Sequence, residues 1–378
     1  MQSMADLLVR IPLFNLFRLT GRPILLPVNY TISVTNVCQS RCKTCFIWKL
    51  YMEKPELRDE ELSTSEWLLI FEGMGRSPFW VTVSGGEPFL RADLVELCRA
   101  LCEVNRPKII NIPTNGLAYG RIRSWTPRIL DSCLENDVVL FLNLSIDGVG
   151  ELHDYIRGVK GNWEVAMRTL RYLYSLKEKY DNLVVGIHTV ISRYNVKELP
   201  SIASYIVEEL KPDQYIMEVA EKRSELFNID TDITPGPREL RESINMVVGR
   251  LARKMKEMGF FTRIGAAFRM RYYELLPDIL REGRQLVPCM AMFASCHISA
   301  YGDLWPCCIL GYEASVGNLR DHDYDIGRLW GGDEAKKLRA SIRDGRCSCP
   351  LANAHYTNLL LSPRELLRIA SYALKNSL

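Results

Sequence analysis

Residues 36–46 read Asn-Val-Cys-Gln-Ser-Arg-Cys-Lys-Thr-Cys-Phe and place Cys38, Cys42 and Cys45 within eight positions. The loop follows residues 30–35, Tyr-Thr-Ile-Ser-Val-Thr, whose β-branched composition predicts a strand. Three thiolates are one fewer than a closed zinc site or a fully ligated four-iron cluster requires. An iron without a protein ligand can bind a substrate or cofactor, so the loop indicates a catalytic cluster. Zinc or a chance spacing is the alternative.

Runs of apolar and β-branched residues alternate with helical patterns between residues 28 and 258. Such alternation is typical of parallel βα units. Periodicity alone does not separate a partial barrel from a doubly wound sheet, although both collect ligands at the carboxyl ends of the strands. Strands are predicted at 28–35, 80–83, 108–112, 138–145, 183–191 and 214–219, and helices at 64–74, 94–104, 128–135, 164–179, 196–209 and 237–258.

Three further motifs each follow a predicted strand. They are Val-Ser-Gly-Gly-Glu-Pro at 83–88, Thr-Asn-Gly at 114–116 and Ser-Ile-Asp-Gly at 145–148. Together with the three cysteines, and in the same chain order, they resemble the radical S-adenosylmethionine superfamily. The resemblance implies an α/β fold, a partial (β/α)6 TIM-like barrel with a small cysteine-rich C-terminal domain.

The resemblance also implies the cofactors. Cys38, Cys42 and Cys45 would hold a 4Fe-4S cluster that binds S-adenosylmethionine (SAM) and cleaves it to a 5′-deoxyadenosyl radical, which abstracts hydrogen from the substrate. Many family members place an aromatic residue before the third cysteine, but Thr44 stands there, so the adenine contact would pass to Phe46. The expected cofactor-binding residues are Phe46, Gly85, Gly86, Glu87, Asn115, Ser145, Asp147 and Arg157.

Each of these motifs has an ordinary structural alternative. The Gly85-Gly86 pair could form a tight turn, and Asp147 with the following glycine could do the same. Arg157 could be a surface arginine rather than a partner for the cofactor carboxylate. His188 could equally be a satisfied core histidine, so it is not among the predicted site residues.

A second group of cysteines lies in the loop-rich stretch 288–350. Cys289-x12-Gly302-x4-Cys307 resembles the opening of the SPASM and twitch domains, which carry auxiliary iron-sulfur clusters. The resemblance implies one auxiliary 4Fe-4S cluster, and zinc held by the same thiolates is the alternative. The expected ligands are Cys289, Cys307, Cys347 and Cys349, with Cys296 or Cys308 as substitutes, whereas Cys98, Cys102 and Cys133 lie in helical patterns as small buried side chains.

The predicted domains are an amphipathic segment at 1–27, the barrel at 28–258, the auxiliary domain at 259–361 and a helix at 362–378. The amphipathic segment fits a membrane surface, the barrel or a dimer partner. A net charge of +3 spread along the chain disfavours nucleic acid as a partner. Twelve cysteines without a secretory signal favour a cytoplasmic location. The family resemblance implies a reducing partner such as flavodoxin or ferredoxin.

The sequence indicates how the reaction begins, but it says less about the overall reaction and the substrate. Too few residues precede the first strand for a leader-peptide module, and there is no room for a cobalamin domain. We therefore expect oxidation or rearrangement of a polar small molecule, as in a dehydrogenase that oxidises an aminocyclitol alcohol. Peptide or protein side-chain modification, lipid modification and a non-catalytic iron-sulfur sensor are the alternatives. A base could be Glu218, Glu221 or Lys222.

Overall fold

A computed structural model describes residues 4–375 of the chain. Its framework is a single eight-stranded sheet with helices on the connections. The strands are β1 (Asn29–Thr35), β2 (Trp80–Gly85), β3 (Ile109–Thr114), β4 (Val139–Ser145), β5 (Leu183–Ile191), β6 (Gln214–Val219), β7 (Ser295–Ile298) and β8 (Leu304–Trp305). The helices are α1 (Met4–Thr20), α2 (Leu50–Glu53), α3 (Thr64–Met74), α4 (Leu94–Ala100), α5 (Tyr119–Glu135), α6 (Glu151–Arg157), α7 (Asn162–Leu176), α8 (Leu199–Tyr205), α9 (Pro237–Met255), α10 (Phe260–Glu282), α11 (Ile326–Gly331), α12 (Asp333–Arg343), α13 (Ala352–Leu360) and α14 (Pro363–Lys375).

Strands β1 to β6 are parallel and lie side by side in chain order, which confirms the predicted partial barrel with helical crossovers. Strand β7 then pairs in parallel with β1, and β8 pairs antiparallel with β7. These two strands were not predicted because four and two residues are too short for a periodic pattern. The cysteine-rich segment therefore extends the barrel sheet, while the predicted domain boundaries stay predictions.

The predicted helices are present, and several of them begin or end at other residues than predicted. Helix α5 begins at Tyr119 rather than at residue 128, because Pro127 is accommodated inside the helix instead of starting it. Helix α4 continues as a π-helix over Leu101–Asn105. The side chain of Asn105 there donates hydrogen bonds to the carbonyl oxygens of Phe71 and Gly75, which ties this helix end to α3.

The barrel interior holds a ladder of amide side chains beside the apolar core. Asn143 on β4 donates to Asn111 Oδ1 on β3 at 2.6 Å and accepts from Gln214 Nε2 on β6 at 2.9 Å. Gly186 on β5 leaves the space for this bridge, since a Cβ there would lie 1.9 Å from Asn143 Oδ1. Buried amides must be paired to be tolerated, so the ladder specifies how the strands face one another.

Replacing Asn143 with alanine should lower the free energy of unfolding by about 1–3 kcal/mol, because buried donor and acceptor groups on Gln214 and Asn111 lose their partner. Equilibrium urea denaturation followed by circular dichroism measures the loss. The control is Ser132→Ala, which removes an exposed hydroxyl bonded to its own helix and should shift stability by less than about 0.5 kcal/mol. Equal stability of the two variants would show that the ladder is not stabilising.

Candidate active site

The three-cysteine loop leaves the carboxyl end of β1 and is held by backbone contacts to helix α6. Arg41 N donates to Arg157 O at 3.0 Å, and Lys43 N donates to Ile156 O at 2.9 Å. Gly158 allows this approach, because a Cβ there would lie 2.1 Å from Arg41 O. The loop therefore has a defined path before any metal binds.

The three thiols of this loop lie close enough to influence one another. Burial, followed by the charge of Cys42, raises the pKa of Cys45 to about 12. Burial also raises the pKa of Cys38, and Cys42, Glu87 and Cys45 add to that shift. Cys42 is buried and Cys38 and Cys45 are partly buried, and three thiols gathered in one loop are suited to binding a cation. The donor set therefore fits a 4Fe-4S cluster with one iron left open.

The Gly85-Gly86 turn lies at the end of β2, directly against the chain that leads into the cysteine loop. Gly86 N donates to Thr35 O at 2.7 Å, and Glu87 N donates to Val37 O at 2.8 Å. A Cβ on Gly86 would lie 2.4 Å from Val37 O, while Gly85 also has a φ of 125°. Only glycine fits both the contact and the backbone conformation. The turn is a joint between two loops as well as the predicted cofactor contact.

Glu87 is almost fully buried and uses both carboxylate oxygens within the chain. Oε1 accepts from Thr114 Oγ1 and Phe89 N, and Oε2 accepts from Asn115 N at 2.7 Å. Burial raises its pKa to about 7, although these hydrogen bonds oppose the shift. Asn115 in turn donates from Nδ2 towards Cys38 Sγ at 3.8 Å. The carboxylate thus links the ends of β2 and β3, and its predicted cofactor contact stays a prediction.

Asp147 and Arg157 form a buried ion pair beside Cys42. Arg157 Nε lies 2.8 Å from Asp147 Oδ2, and Nη1 donates towards Cys42 Sγ at 3.7 Å. Asp147 Oδ1 also accepts from Val190 N at 2.8 Å. Arg157 is 9% exposed, which excludes the surface alternative. Ser145 lies half-buried at the end of β4, and Phe46 lies half-buried after the third cysteine.

In the second predicted thiol set, neighbouring thiols also act on one another's pKa. Burial raises the pKa of Cys289 to about 12, with Cys307 and Cys347 adding to the shift. Burial raises the pKa of Cys307 to about 11, with a contribution from Cys347. The pKa of Cys349 is raised by burial first, and then by Cys307 and Cys289. Several of these thiols thus lie near enough to act on one another, and four thiolates would fit a closed cluster, while the ligand set and the identity of its metal stay proposals.

The two proposed substitute ligands differ in their surroundings, and Cys307 contributes to the raised pKa of Cys308. Cys296 sits on β7, and burial alone raises its pKa, with no contribution from another thiol. Cys308 accepts a hydrogen bond from Arg223 Nη1 at 3.2 Å, and after burial Arg223 has the largest effect on its pKa. Cys98, Cys102 and Cys133 are fully buried in the helical layer, as predicted.

Residues 220–228 lie between the two thiol sets. Leu226 O accepts from Phe46 N at 2.8 Å, and Asn228 Nδ2 donates to Thr44 O at 2.8 Å, so the segment contacts the first cysteine loop. On the other side, Arg223 contacts Cys308, next to the second set. A substrate between the two thiol sets would therefore contact this segment.

A polar cluster, here called the bridging cluster, consists of Glu218, Arg223, Glu225, His297 and Cys308. Both carboxylate oxygens of Glu218 accept hydrogen bonds within the chain. Oε1 accepts from Arg223 Nη2 at 2.8 Å, and Oε2 accepts from Ala352 N at 3.1 Å. By contrast, the buried Oε2 of Glu225 lacks a hydrogen-bond partner anywhere in residues 4–375. Burial raises the pKa of Glu225 to about 7. Donor atoms of Glu225, His297 and Cys308 lie within 4.8 Å of one another.

Sequence reasoning missed most of this cluster. Arg223, Glu225 and His297 belong to no motif, and their proximity depends on contacts between segments about 70 residues apart. His188 was left out, although its buried Nε2 is unpaired within the described residues. Burial lowers its pKa, and Glu218 and Asp147 oppose that shift. Its place on β5, beside Ser145 at the end of β4, was the available signal.

Comparison with known proteins agrees with this geometry. The sequence profile of the Radical SAM superfamily matches residues 32–206, and that of the SPASM iron-sulfur cluster-binding domain matches residues 289–350. Fe-coproporphyrin III synthase of Methanosarcina barkeri is 29% identical over 233 residues, which are 60% of this chain and 52% of that protein. This chain therefore spans about half the length of that relative.

Two further similarities extend over more of the chain. The subtilosin biosynthesis protein AlbA of Bacillus subtilis is 21% identical over 86% of this chain and 66% of its own length. The crystal structure of Streptococcus suis SuiB superposes with a TM-score of 0.58 at 17% identity, covering 90% of this chain and 74% of that one. At that identity the superposition supports the fold alone.

Gly86→Ala should displace the cysteine loop, because the new Cβ cannot lie 2.4 Å from Val37 O. After anaerobic reconstitution we expect about four fewer irons per chain and loss of the corresponding electron paramagnetic resonance signal. Gly120→Ala is the matched control, since nothing lies within 4 Å of its Cβ position in helix α5. Equal iron content in both variants would contradict the role of the turn as a joint.

Proposed function

Because the chain belongs to the radical SAM superfamily and carries a SPASM-type domain, we propose that it removes a hydrogen atom from a polar small molecule and completes a two-electron oxidation. The family implies a 4Fe-4S cluster with S-adenosylmethionine at Cys38, Cys42 and Cys45, where reductive cleavage supplies the 5′-deoxyadenosyl radical. The observation that carries the proposal is the bridging cluster between the two thiol sets.

An oxidation needs an acceptor for a proton as well as for an electron. Among the carboxylates near the cluster, Glu218 has both oxygens bonded, whereas Glu225 keeps a free buried oxygen. Glu225 is therefore the proposed proton acceptor, in place of Glu218, Glu221 or Lys222. A cluster at Cys289, Cys307, Cys347 and Cys349 would supply the electron acceptor. Arg223 and His297 would orient the substrate.

The charge of the bridging cluster favours a substrate over a bound metal ion at this place. The guanidinium of Arg223 contacts Cys308 at 3.2 Å and repels a cation there, although Glu225, His297 and Cys308 could otherwise ligate one. His297 is neutral at pH 7, because burial lowers its pKa to about 3. A mixture of one cation, carboxylates and neutral donors suits a polar organic molecule.

Peptide or protein side-chain modification is the second candidate. The similarity to AlbA extends over 86% of this chain, and that relative is a bacteriocin biosynthesis protein. The similarity to Fe-coproporphyrin III synthase, which covers 60% of this chain, favours a small molecule instead. The two candidates differ in whether the substrate survives proteolysis.

The reduced, reconstituted enzyme should form 5′-deoxyadenosine from S-adenosylmethionine, and an extract containing the substrate should raise that rate. We expect the increase to survive protease digestion of the extract. Cys42→Ser should abolish the product in every arm, because a cluster ligand is lost. Stimulation that disappears on digestion would reject the small molecule in favour of a peptide. Absence of 5′-deoxyadenosine from iron-loaded enzyme would reject the activity itself.

In the same assay, Glu225→Gln should still form 5′-deoxyadenosine but lower oxidised product at least about 100-fold, because the proton acceptor is removed. The control is Glu313→Gln, which changes an exposed carboxylate in the same way. Product is identified by mass spectrometry as a species two mass units lighter than the component consumed. Full product yield from a folded Glu225→Gln enzyme would exclude this residue as the acceptor.

Metal content tests the second thiol set. Wild-type protein should hold about eight irons per chain, and the triple change of Cys38, Cys42 and Cys45 to alanine should leave about four. Cys307→Ala should instead lose the auxiliary irons and keep cleavage of S-adenosylmethionine. Cys296→Ala, a buried thiol outside both sets, is the control and should leave the iron count unchanged. One equivalent of zinc, or loss of all iron in the triple variant, would reject the auxiliary cluster.

A further inference from the structure

Helix α1 is apolar on two sides. Its inner side chains Leu7, Ile11, Phe14 and Phe17 are buried in the core, and the Phe17 ring meets Phe293 edge to face at 5.4 Å. This inner stripe confirms that the segment packs on the rest of the chain. Packing against the core explains the apolar side chains on the inner side of α1 but not those on its outer side.

The outer side of α1 is also apolar. From Leu8 to Leu19 every exposed position carries an apolar side chain, and Val9 and Leu19 are 75% and 68% exposed. At about 3.6 residues per turn, their spacing of one, three or four residues places these positions in one continuous stripe along the helix. The outer stripe consists of Leu8, Val9, Pro12, Leu13, Leu16 and Leu19. An exposed apolar stripe of this extent indicates an interaction surface.

Positive charge gathers where the outer stripe ends. Arg343 Nη1 donates to Leu19 O, the exposed Arg22 follows the helix, and Arg346 is 73% exposed. Burial lowers the pKa of Arg18, and the nearby guanidinium of Arg343 adds to that shift. Asp344 is the acid within reach of Arg346, at 3.8 Å. The end of the stripe therefore keeps a positive excess.

We infer that this face docks on an anionic lipid surface, with the outer stripe inserted at the level of the headgroups and the arginines against lipid phosphates. An apolar face beside basic residues is the pattern of helices that lie in the membrane interface. None of the helices within residues 4–375 combines the length and apolarity needed to cross a bilayer. Peripheral contact therefore fits the outer stripe, and it is independent of the reaction proposed above.

Co-sedimentation of the full-length reconstituted protein with vesicles tests the inference. Vesicles of phosphatidylcholine with 30% phosphatidylglycerol, on the order of a natural anionic fraction, should bind the protein at least about tenfold more tightly than phosphatidylcholine alone. Raising the salt to about 0.5 M should weaken binding, because screening shortens the reach of the arginines. Equal binding to both kinds of vesicle, or none to either, would overturn the inference.

Variants separate lipid from other occupants. Leu13→Glu/Leu16→Glu should lower vesicle binding about tenfold or more, and Leu8→Ser/Val9→Ser does the same with a smaller risk to folding. Leu134→Glu, at another exposed leucine on helix α5, is the matched control and should bind as wild type. Circular dichroism and iron content confirm folding. A wild-type dimer that becomes a monomer in the Leu8→Ser/Val9→Ser variant, with no vesicle binding by either, would assign the stripe to a second copy.

Discussion

The backbone contact between the Gly85-Gly86 turn and the chain entering the cysteine loop is the constraint on which the site depends. Two hydrogen bonds of 2.7 and 2.8 Å join the two loops, and the space between them excludes a Cβ. Glu87 extends this joint to β3 through its buried carboxylate. The ends of three neighbouring strands are thus linked before any cofactor binds. A preorganised loop lowers the entropy lost when the thiols gather around a cluster.

The short segment 220–228 connects the first cysteine loop with the region of the second thiol set. It contacts the first cysteine loop through Phe46 and Thr44, and it contacts the second thiol region through Arg223 and Cys308. The side chains of Arg223 and Glu225 are only 12% and 13% exposed, and burying charge is costly unless it is paired or meets a ligand. The Glu218–Arg223 pair satisfies part of this requirement, while Glu225 Oε2 lacks a partner within the described residues. The unpaired oxygen is the clearest indication that a substrate belongs there.

Helix α1 connects the proposed lipid surface with the second thiol set. Arg18 Nε donates to Cys289 O at 3.1 Å, so a residue of the helix directly contacts the backbone of a proposed ligand. Asn15 Nδ2 donates to Leu361 O at 2.8 Å, which ties the same helix to the end of α13. The amino-terminal helix is therefore part of the framework around the cysteines, and its outer stripe is presented from a rigid base.

The sequence alone determined the six parallel strands, because each is six or more residues long and its β-branched pattern is local. It also predicted both thiol sets, because the spacing of Cys38, Cys42 and Cys45 and the resemblance after Cys289 are read along the chain. Tertiary structure decided what no local pattern contains. It paired the short strand β7 with β1, turned Cys308 towards Arg223, and brought Glu225 beside His297, about 70 residues away. Such contacts depend on how distant segments pack, so their energy is not encoded in any single stretch of residues.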